Sequence, residues 1–267
     1  MELRDKVVVV TGAAGGIGEA MVRRFAVEAP KGIVVADIDG AAAERVAAEV
    51  GGTAAQVDVA DEADNRRMVA LAEDVYGPVD LLCLNAGIAT GGGMDAPNEA
   101  WQRTWNVNVM SHVYGARAVL PSMLARREGY LLHTASAAGL LTNLGAAPYS
   151  VTKHAVVALA EWLAITHGDA GLRVSALCPQ FVDTAMLDAL TEVGEGFHDF
   201  ATSTAKSPAE VADVVVEGLR DERFLILPHP EVAGYFANKA TDYDRWLAGM
   251  RKLQHSLGAG PGRGSPT

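Results

Sequence analysis

A serine, a tyrosine and a lysine in the middle of the chain have types and spacing that could perform acid–base chemistry. Ser136 precedes Tyr149 by thirteen residues, and Lys153 follows Tyr149 by four. Residues at i and i+4 share one face of a helix, with Cβ atoms about 5–6 Å apart. An ammonium at that distance stabilises a phenolate, so we expect the pKa of Tyr149 to lie below its usual value of about 10. A tyrosine tuned in this way can give and take a proton near neutral pH.

The elements that must position these residues alternate along the chain between short apolar strands and helical stretches. The first strand, KVVVV, is a β-branched run typical of strands buried on both faces of a parallel sheet. Strands are predicted over residues 6–10, 32–36, 53–57, 79–84, 129–134, 173–177 and 223–227. Helices are predicted after the first strand and over 41–50, 62–76, 98–125 (with a kink at Pro121), 149–167 and 210–219. This alternation indicates an α/β fold, a single-domain Rossmann-like doubly wound parallel sheet of about seven strands flanked by helices.

One domain is expected over residues 1–257, and two of its segments fall outside the alternation. Residues 184–205 contain glycine breaks and scattered apolar side chains, and could form a lid over a pocket or a long surface connection. Residues 231–254 predict a C-terminal amphipathic helix that docks on its own fold or on a neighbour. The Gly/Pro/Ser-rich residues 258–267 predict a disordered tail.

Composition excludes several classes of function. The 267-residue chain carries a net charge of −11, the opposite of what a nucleic-acid binder needs. Neither an apolar run near 18 residues nor a leader before Lys6 is visible, so we expect no membrane partner. Cys83 and Cys178 lie in apolar runs and predict buried thiols in a reducing compartment, the cytoplasm. The seven histidines lack metal-ligand spacing, and no metal site is expected.

A glycine-rich loop, TGAAGGIG, joins the first strand to the first helix. Gly12 can take a tight turn, Gly16 lets the backbone approach a pyrophosphate, and Gly18 permits close helix packing. A strand, a glycine loop and a helix in this order direct the helix N-terminus at an anion. The loop opens the first βα unit, so it predicts a nucleotide site.

Asp37 ends the second predicted strand, about 20 residues beyond the loop, where a carboxylate can accept hydrogen bonds from ribose hydroxyls. A carboxylate there would repel a 2′-phosphate, and neither the glycine loop nor Ile38 supplies a cation to offset the repulsion. The predicted cofactor is therefore NAD, with NADP disfavoured. The alternative is that Asp37 only caps the strand end.

Together these motifs resemble those of the short-chain dehydrogenases/reductases, over about Lys6 to Leu227. The resemblance implies a catalytic tetrad of Asn108, Ser136, Tyr149 and Lys153. It also implies an adenine contact at Asp58 and Val59, a turn beside the cofactor at Asn85–Gly87, and nicotinamide contacts at Val182 and Thr184. With the residues already named, the predicted cofactor-binding set is Thr11, Gly12, Gly16, Ile17, Gly18, Asp37, Ile38, Asp58, Val59, Asn85, Ala86, Gly87, Tyr149, Lys153, Pro179, Val182 and Thr184.

The implied reaction interconverts a secondary alcohol and a ketone by direct hydride transfer. Tyr149 would be the general acid or base, Lys153 would lower its pKa and bind the nicotinamide ribose, Ser136 would hold the substrate oxygen, and Asn108 would support a relaying water. The chain departs from the family pattern at Leu84, usually Asn, and at Gln180, usually Gly. The candidate substrate residues are Ser136, Tyr149, Leu140, Leu144, Phe181, Met186 and Leu187, where the apolar members either shape a hydrophobic site or pack the core.

Three other functions compete with this one. They are a catalytically silent NAD-binding or sensing protein, a 3-oxoacyl-type carbonyl reductase that uses NADP, and an epimerase or dehydratase that keeps its NAD. An intact Ser136, Tyr149 and Lys153 argue against the first, and the few residues after Leu227 argue against the last. Because relatives pair their long helices, we also expect a homodimer or homotetramer. The helix from Tyr149 carries the apolar residues for this contact, which are Ala155, Val156, Ala158, Leu159 and Trp162.

Overall fold

The chain folds around a parallel sheet in the computed structural model, which describes residues 1–188 and 195–257. The sheet has seven strands in the order β3-β2-β1-β4-β5-β6-β7. This arrangement confirms the predicted doubly wound architecture. The strands are β1 (Val7–Thr11), β2 (Gly32–Asp37), β3 (Thr53–Gln56), β4 (Leu81–Leu84), β5 (Gly129–Thr134), β6 (Leu172–Leu177) and β7 (Leu225–Ile226).

The strand order reverses direction at β1, which is flanked by β2 on one side and β4 on the other. In the register of this sheet, Val9 lies beside both Val34 and Leu82. Every residue of β1 is buried, as expected for a strand covered on both faces. In open α/β sheets, ligands bind outside the carboxyl ends of the strands at such a reversal point. The topology therefore places the candidate site beyond Thr11.

Helices cover both faces of the sheet and close two apolar cores. One core packs α3, α5 and α7 against the sheet, and the other packs α1, α2 and α10. The helices are α1 (Gly16–Ala26), α2 (Gly40–Val50), α3 (Glu62–Tyr76), α4 (Asn98–Trp105), α5 (Ser111–Arg126), α6 (Ala138–Leu141), α7 (Ala147–His167), α8 (Ala185–Asp188), α9 (Glu195–Thr204), α10 (Pro208–Arg220), α11 (Glu231–Thr241) and α12 (Tyr243–Ser256).

The long helix predicted over 98–125 is interrupted at a different place from the one expected. A π-helical turn, Asn106–Met110, separates α4 from α5, whereas Pro121 lies inside α5. In this turn the Ser111 N–H donates to the Asn106 carbonyl, five residues back instead of four. The irregular turn contains Asn108, so the backbone departs from α-helical geometry at a predicted catalytic residue.

The C-terminal segment forms two helices instead of the single one predicted over 231–254. Asp242 has an extended backbone between α11 and α12, and its carboxylate accepts from the Arg245 N–H at 2.9 Å. This is an N-cap, which begins a new helix instead of continuing the old one. The 184–205 segment contains α8 and α9, while its residues 189–194, and the tail 258–267, lie outside the described residues. No helix in the described part of the chain is long and apolar enough to cross a membrane.

Candidate active site

A cavity of about 1150 Å³ opens beyond the carboxyl ends of the strands and collects most of the predicted site residues. Thr11, Gly18, Asn108 and Leu140 are the predicted residues that do not line it. Those that do are Gly12, Gly16, Ile17, Asp37, Ile38, Asp58, Val59, Asn85, Ala86, Gly87, Ser136, Leu144, Tyr149, Lys153, Pro179, Phe181, Val182, Thr184, Met186 and Leu187.

Tyr149 and Lys153 lie on the first turns of α7, on the face that meets the cavity. Pro148 occupies the start of this helix, where its missing N–H leaves no hydrogen bond unmade. The Lys153 Nζ lies 5.6 Å from the centre of the Tyr149 ring and donates to the Thr134 carbonyl at 2.9 Å. The i, i+4 spacing therefore brings amine and phenol together, and the end of β5 fixes the amine.

Burial changes the electrostatics of this pair. It lowers the pKa of Lys153 to about 8. Burial also raises the pKa of Tyr149, and the hydrogen bond with Ser136 opposes only part of that shift. The expected lowering of the Tyr149 pKa by Lys153 is therefore wrong for the protein alone. The reason is that the phenolate loses more hydration than its neighbours restore.

Ser136 lies in the turn between β5 and α6. Its Oγ accepts from the Ala138 N–H at 3.1 Å, and its carbonyl accepts from the Gly139 N–H at 2.8 Å. The neighbouring Ala137 N–H donates to the Pro179 carbonyl at 2.8 Å. These bonds connect the turn of Ser136 to the segment after β6, so they fix the position of the Ser136 hydroxyl beside Tyr149.

Asn108 is fully buried behind the cavity, and its amide is engaged with the protein. Nδ2 donates to the Ile88 carbonyl at 2.9 Å and to Thr152 Oγ1 at 3.2 Å. Oδ1 accepts from the Ile88 N–H at 2.8 Å. The side chain therefore holds the segment after β4 against α7, and the suggested support of a water stays a prediction.

The glycine loop fits a dinucleotide. Gly12 and Gly16 have φ values of +61° and +54°, in the left-handed region that favours glycine. A Cβ at Gly18 would lie 2.0 Å from the Gly12 carbonyl oxygen, so α1 packs directly on the loop. Gly15 is the N-cap of α1 and supplies no side-chain cap, which leaves the first N–H groups of the helix for an anion such as a pyrophosphate. Thr11 lies behind the loop, where its Oγ1 accepts from the Asn85 N–H at 2.9 Å and fixes the turn after β4.

Asp37 projects from the end of β2 into the cavity beside the loop. Its two oxygens accept from the Ala14 N–H at 3.0 Å and the Asp39 N–H at 3.1 Å, which sets the carboxylate in place. The carboxylate also lines the cavity, so each oxygen retains acceptor capacity for a ligand hydroxyl. Ile38 next to it is 67% exposed and contributes no charge.

The substrate side of the cavity differs from the prediction at one residue. Leu140 packs in the apolar core instead of lining the cavity, while Leu141 next to it does line it. The difference follows from the helical turn of α6, which rotates successive side chains by about 100°.

Sequence reasoning missed the wall formed by α11 and α12. These helices present a stripe at three- and four-residue spacing to the cavity, and that spacing was the available signal. Its members are Tyr235, Asn238, Thr241, Asp242, Arg245, Trp246, Gly249, Met250 and Leu253. The wall is polar near the junction of the two helices and apolar along α12.

The two departures from the family pattern are accommodated locally. Leu84 is buried in β4 and belongs to the apolar core. The side chain of Gln180 lines the cavity, and its N–H donates to Nδ1 of the buried His229 at 3.1 Å. The position that is usually glycine thus adds a polar side chain to the cavity wall.

Two further histidines are structural. His112 and His133 stack with their Nδ1 atoms 3.0 Å apart, in the interior between α5 and β5. Burial lowers the pKa of His133 to about 3 and that of His112 well below its ordinary value, so both rings are neutral. Across residues 1–188 and 195–257, no group of three or more His, Cys, Asp or Glu side chains could hold a metal ion.

A doubly wound sheet with a glycine loop at its reversal point and a Tyr–Lys pair facing the same cavity defines a nucleotide-dependent oxidoreductase. The family model described as "short chain dehydrogenase" matches residues 6–193. The chain belongs to this family, whose members act on hydroxyl groups.

Named relatives agree with this assignment. The chain is 38% identical over 240 residues to 1-deoxy-11-beta-hydroxypentalenate dehydrogenase of Streptomyces exfoliatus, covering 86% of each chain. It is 34% identical over 221 residues to meso-2,3-butanediol dehydrogenase of Serratia marcescens, covering 80% of this chain and 87% of the relative. A short chain dehydrogenase/reductase of Burkholderia phymatum, solved in complex with NAD, superimposes with a TM-score of 0.81 at 29% identity, covering 100% of this chain and 99% of the other.

Proposed function

We propose that the protein is an NAD-dependent dehydrogenase that interconverts an apolar secondary alcohol and its ketone. The observation that carries the proposal is the meeting, in one cavity, of the Ser136–Tyr149–Lys153 group and the glycine loop with Asp37. NAD, when bound, would accept or supply the hydride, which leaves only a proton for the protein to move.

Tyr149 is the residue to move that proton. In oxidation it takes the hydroxyl proton as a phenolate, and in reduction it returns a proton to the carbonyl oxygen. Burial raises its pKa, so the phenol is protonated at neutral pH in the protein alone. The general acid needed for reduction is therefore already present at neutral pH. The rate of oxidation, in contrast, increases with pH as the phenolate forms. Ser136 holds the substrate oxygen beside the phenol by a hydrogen bond, and Lys153 contacts the cofactor ribose.

NAD is favoured over NADP by the fixed carboxylate of Asp37, which accepts hydrogen bonds and repels a phosphate. The relative from Burkholderia phymatum was solved in complex with NAD, which supports the same choice. The Brucella melitensis 3-ketoacyl-(acyl-carrier-protein) reductase was solved in complex with NADH, and it is 30% identical with a TM-score of 0.73 over 84% of this chain and 96% of the other.

The substrate class is inferred from the apolar part of the cavity wall. Apolar side chains of three segments meet there, among them Leu144, Phe181, Met186 and Trp246. The names of the relatives describe a hydroxylated pentalenate and a butanediol, and both contain secondary alcohols. We expect a secondary alcohol with apolar substituents to fill this space.

A homodimer or homotetramer formed through α7 is part of the proposal. Trp162 and Ile165 of this helix are 57% and 84% exposed, and Val151, about three turns before Trp162, is also exposed. Val156, in contrast, packs in the core. An exposed apolar stripe on a long helix is a common contact surface between subunits. We also expect a reducing compartment such as the cytoplasm, because Cys83 and Cys178 are free and buried.

Substitution of Tyr149 by Phe tests the function. The ring is kept and only the hydroxyl is lost, so turnover of secondary alcohols with NAD should fall by about 100- to 10,000-fold. Binding of NAD, followed by quenching of tryptophan fluorescence, should be retained. Tyr114→Phe, which removes a phenol from α5 away from the cavity, is the matched control. Turnover near that of the wild type in Tyr149→Phe would contradict the assignment.

A further inference from the structure

Lys239 is a buried lysine of α11 that lies outside the cavity. It is 7% exposed, and its Nζ donates to the Leu140 carbonyl at 2.7 Å. The same Nζ lies 5.5 Å from the centre of the Tyr243 ring. The lysine ion pairs of the described residues are Lys6–Glu128 and Lys206–Glu210, and Lys239 takes part in neither. A buried ammonium without a carboxylate partner is expensive, so this one needs the contacts it makes.

The acceptor of Lys239 belongs to the turn that carries the catalytic serine. The helix α6 has four residues, and the last carbonyl groups of any helix lack partners within it. Lys239 supplies a donor to one of these carbonyls, at the C-terminal end of α6. The contact therefore caps α6 from a segment almost 100 residues later in the chain.

The helix α6 lies between Ser136 and Lys153. Ser136 contacts its first turn through the Ala138 N–H and the Gly139 N–H. A Cβ at Gly139 would lie 2.5 Å from the Lys153 carbonyl oxygen, so the backbone of α6 rests directly on α7 at the catalytic lysine. A shift of α6 would therefore move the serine relative to Tyr149 and Lys153.

The helix that carries Lys239 also forms part of the cavity wall. Tyr235 and Asn238 of α11 line the cavity. Tyr235 lies one helical turn before Lys239, and Asn238 directly precedes it. Both ends of the Lys239–Leu140 contact thus belong to segments that border the same space, since Leu141 and Leu144 line it from the α6 side.

We propose that Lys239 is a positioning residue, which fastens the C-terminal wall of the substrate cavity to the α6 turn and so sets the place of the Ser136 hydroxyl. This inference rests on the proposed function, because it concerns the serine of that reaction. It assigns to the C-terminal helices a part in catalysis beyond that of enclosing the substrate.

Lys239→Met tests the proposal, because it keeps the length and apolar volume of the side chain and removes the donor and the charge. Amide hydrogen exchange of the peptide 136–144, measured by mass spectrometry with NAD present, should become faster than in the wild type. The kcat for alcohol oxidation should fall by about 10- to 100-fold, the loss expected when a catalytic group is displaced by up to about 1 Å. The Kd for NAD should stay within about twofold, because the glycine loop is untouched.

If Lys239 only stabilises the fold, its replacement should leave the pH profile of kcat/KM unchanged. If it positions Ser136, its replacement should shift that profile. The hydrogen bond from Ser136 lowers the pKa of Tyr149 in part, so a loosened serine should move the rise of kcat/KM in oxidation to higher pH. Lys239→Arg, which restores a charged donor, should recover most of the kcat. Tyr243→Leu, which leaves the hydrogen bond in place, should have a smaller effect than Lys239→Met. Lys252→Met, at an exposed position of α12, is the control for removing a charge from this region.

The proposal is overturned if exchange of peptide 136–144 is unchanged in Lys239→Met. It is equally overturned if kcat per folded enzyme and the pH profile match the wild type while only the melting temperature changes. A wild-type protein that turns over no alcohol or ketone would refute the proposed function instead, and the exchange measurement would still decide whether Lys239 holds the α6 turn.

Discussion

Replacing Lys153 by Met should stabilise the fold at neutral pH while it removes the enzyme's activity. Burial lowers the Lys153 pKa from 10.5 to about 8. Below the lower value the lysine is charged in both the folded and the unfolded chain, so the folded state bears a penalty of about 3 kcal/mol, at about 1.4 kcal/mol per pKa unit. Methionine removes that penalty and loses the hydrogen bond to the Thr134 carbonyl, a loss of about 1–2 kcal/mol. The variant should therefore be about 1–2 kcal/mol more stable.

The sign of the difference in unfolding free energy between Lys153→Met and the wild type depends on pH. As the pH rises through about 8, the folded lysine loses its proton while the unfolded lysine keeps it up to its ordinary pKa. The wild type therefore gains stability over this range, and the methionine variant has no corresponding group. From about pH 7 to about pH 9.5, the wild type should gain about 2 kcal/mol relative to the variant, which cancels or reverses the variant's advantage.

Urea unfolding of both proteins at the two pH values, at one protein concentration and without cofactor, measures the difference. Titrations of groups far from Lys153 are common to both chains and cancel in the comparison. Lys252→Met, which removes an exposed lysine of α12, is the matched control for the loss of one lysine charge. If Lys153→Met is less stable at neutral pH, or if its difference from the wild type stays constant with pH, then the amine is not held in the desolvated site described above.

Three further predictions follow from the cofactor loop and from the surface. Asp37→Ala should raise the KM for NAD by about tenfold and improve the relative use of NADP. Steady-state rates with both cofactors measure this change. An unchanged ratio of the kcat/KM values for NAD and NADP would contradict a role of Asp37 in cofactor selection. Gly18→Ala should destabilise the fold by about 1–3 kcal/mol or prevent folding, because the new Cβ would lie 2.0 Å from the Gly12 carbonyl oxygen. Gly15→Ala meets nothing within 4 Å and changes only the N-cap of α1, so it should lower the urea midpoint much less. Sedimentation at micromolar concentration should show a dimer or tetramer that Trp162→Glu dissociates, and a wild-type monomer would refute the assembly.

The sheet and the position of the site could be predicted because they depend on local signals. Buried strands such as β1 show as continuous β-branched runs, and the glycine loop follows the first of them directly. The carboxyl ends of parallel strands meet at one edge, so motifs far apart in sequence, such as Asp37 and Tyr149, could be placed in one cavity from the topology alone.

The contents of the cavity wall could not be predicted in the same way. Leu140 and Leu141 are identical neighbours, and only the rotation of α6 decides that Leu141 meets the cavity. The apolar spacing of residues 231–254 predicted a docked helix, but where this segment docks depends on contacts such as that of Lys239 with the Leu140 carbonyl, which no local pattern contains. The break at Asp242 was detectable, because Asp is a favoured N-cap residue.

The pKa of Tyr149 shows most clearly why a motif alone is insufficient. From spacing, Lys153 predicts a lowered pKa, and the two groups do lie together, with Nζ 5.6 Å from the ring centre. Coulomb attraction from that amine needs it charged, yet the same burial that desolvates the phenol lowers the pKa of the amine to about 8, so the amine is already neutral at the higher pH where the phenol would ionise. Desolvation therefore raises the free energy of the phenolate and also reduces the attraction that the Lys153 amine could exert on it, so the phenol keeps its proton. Above about pH 8, a favourable charge near Tyr149 has to arrive with a ligand, which couples proton transfer to occupation of the cofactor site. The pH at which alcohol oxidation with NAD rises should consequently lie below the pH at which the Tyr149 phenol of the cofactor-free protein ionises. That ionisation is measured as the difference in phenolate absorbance between the wild type and Tyr149→Phe. Equal values would contradict this coupling.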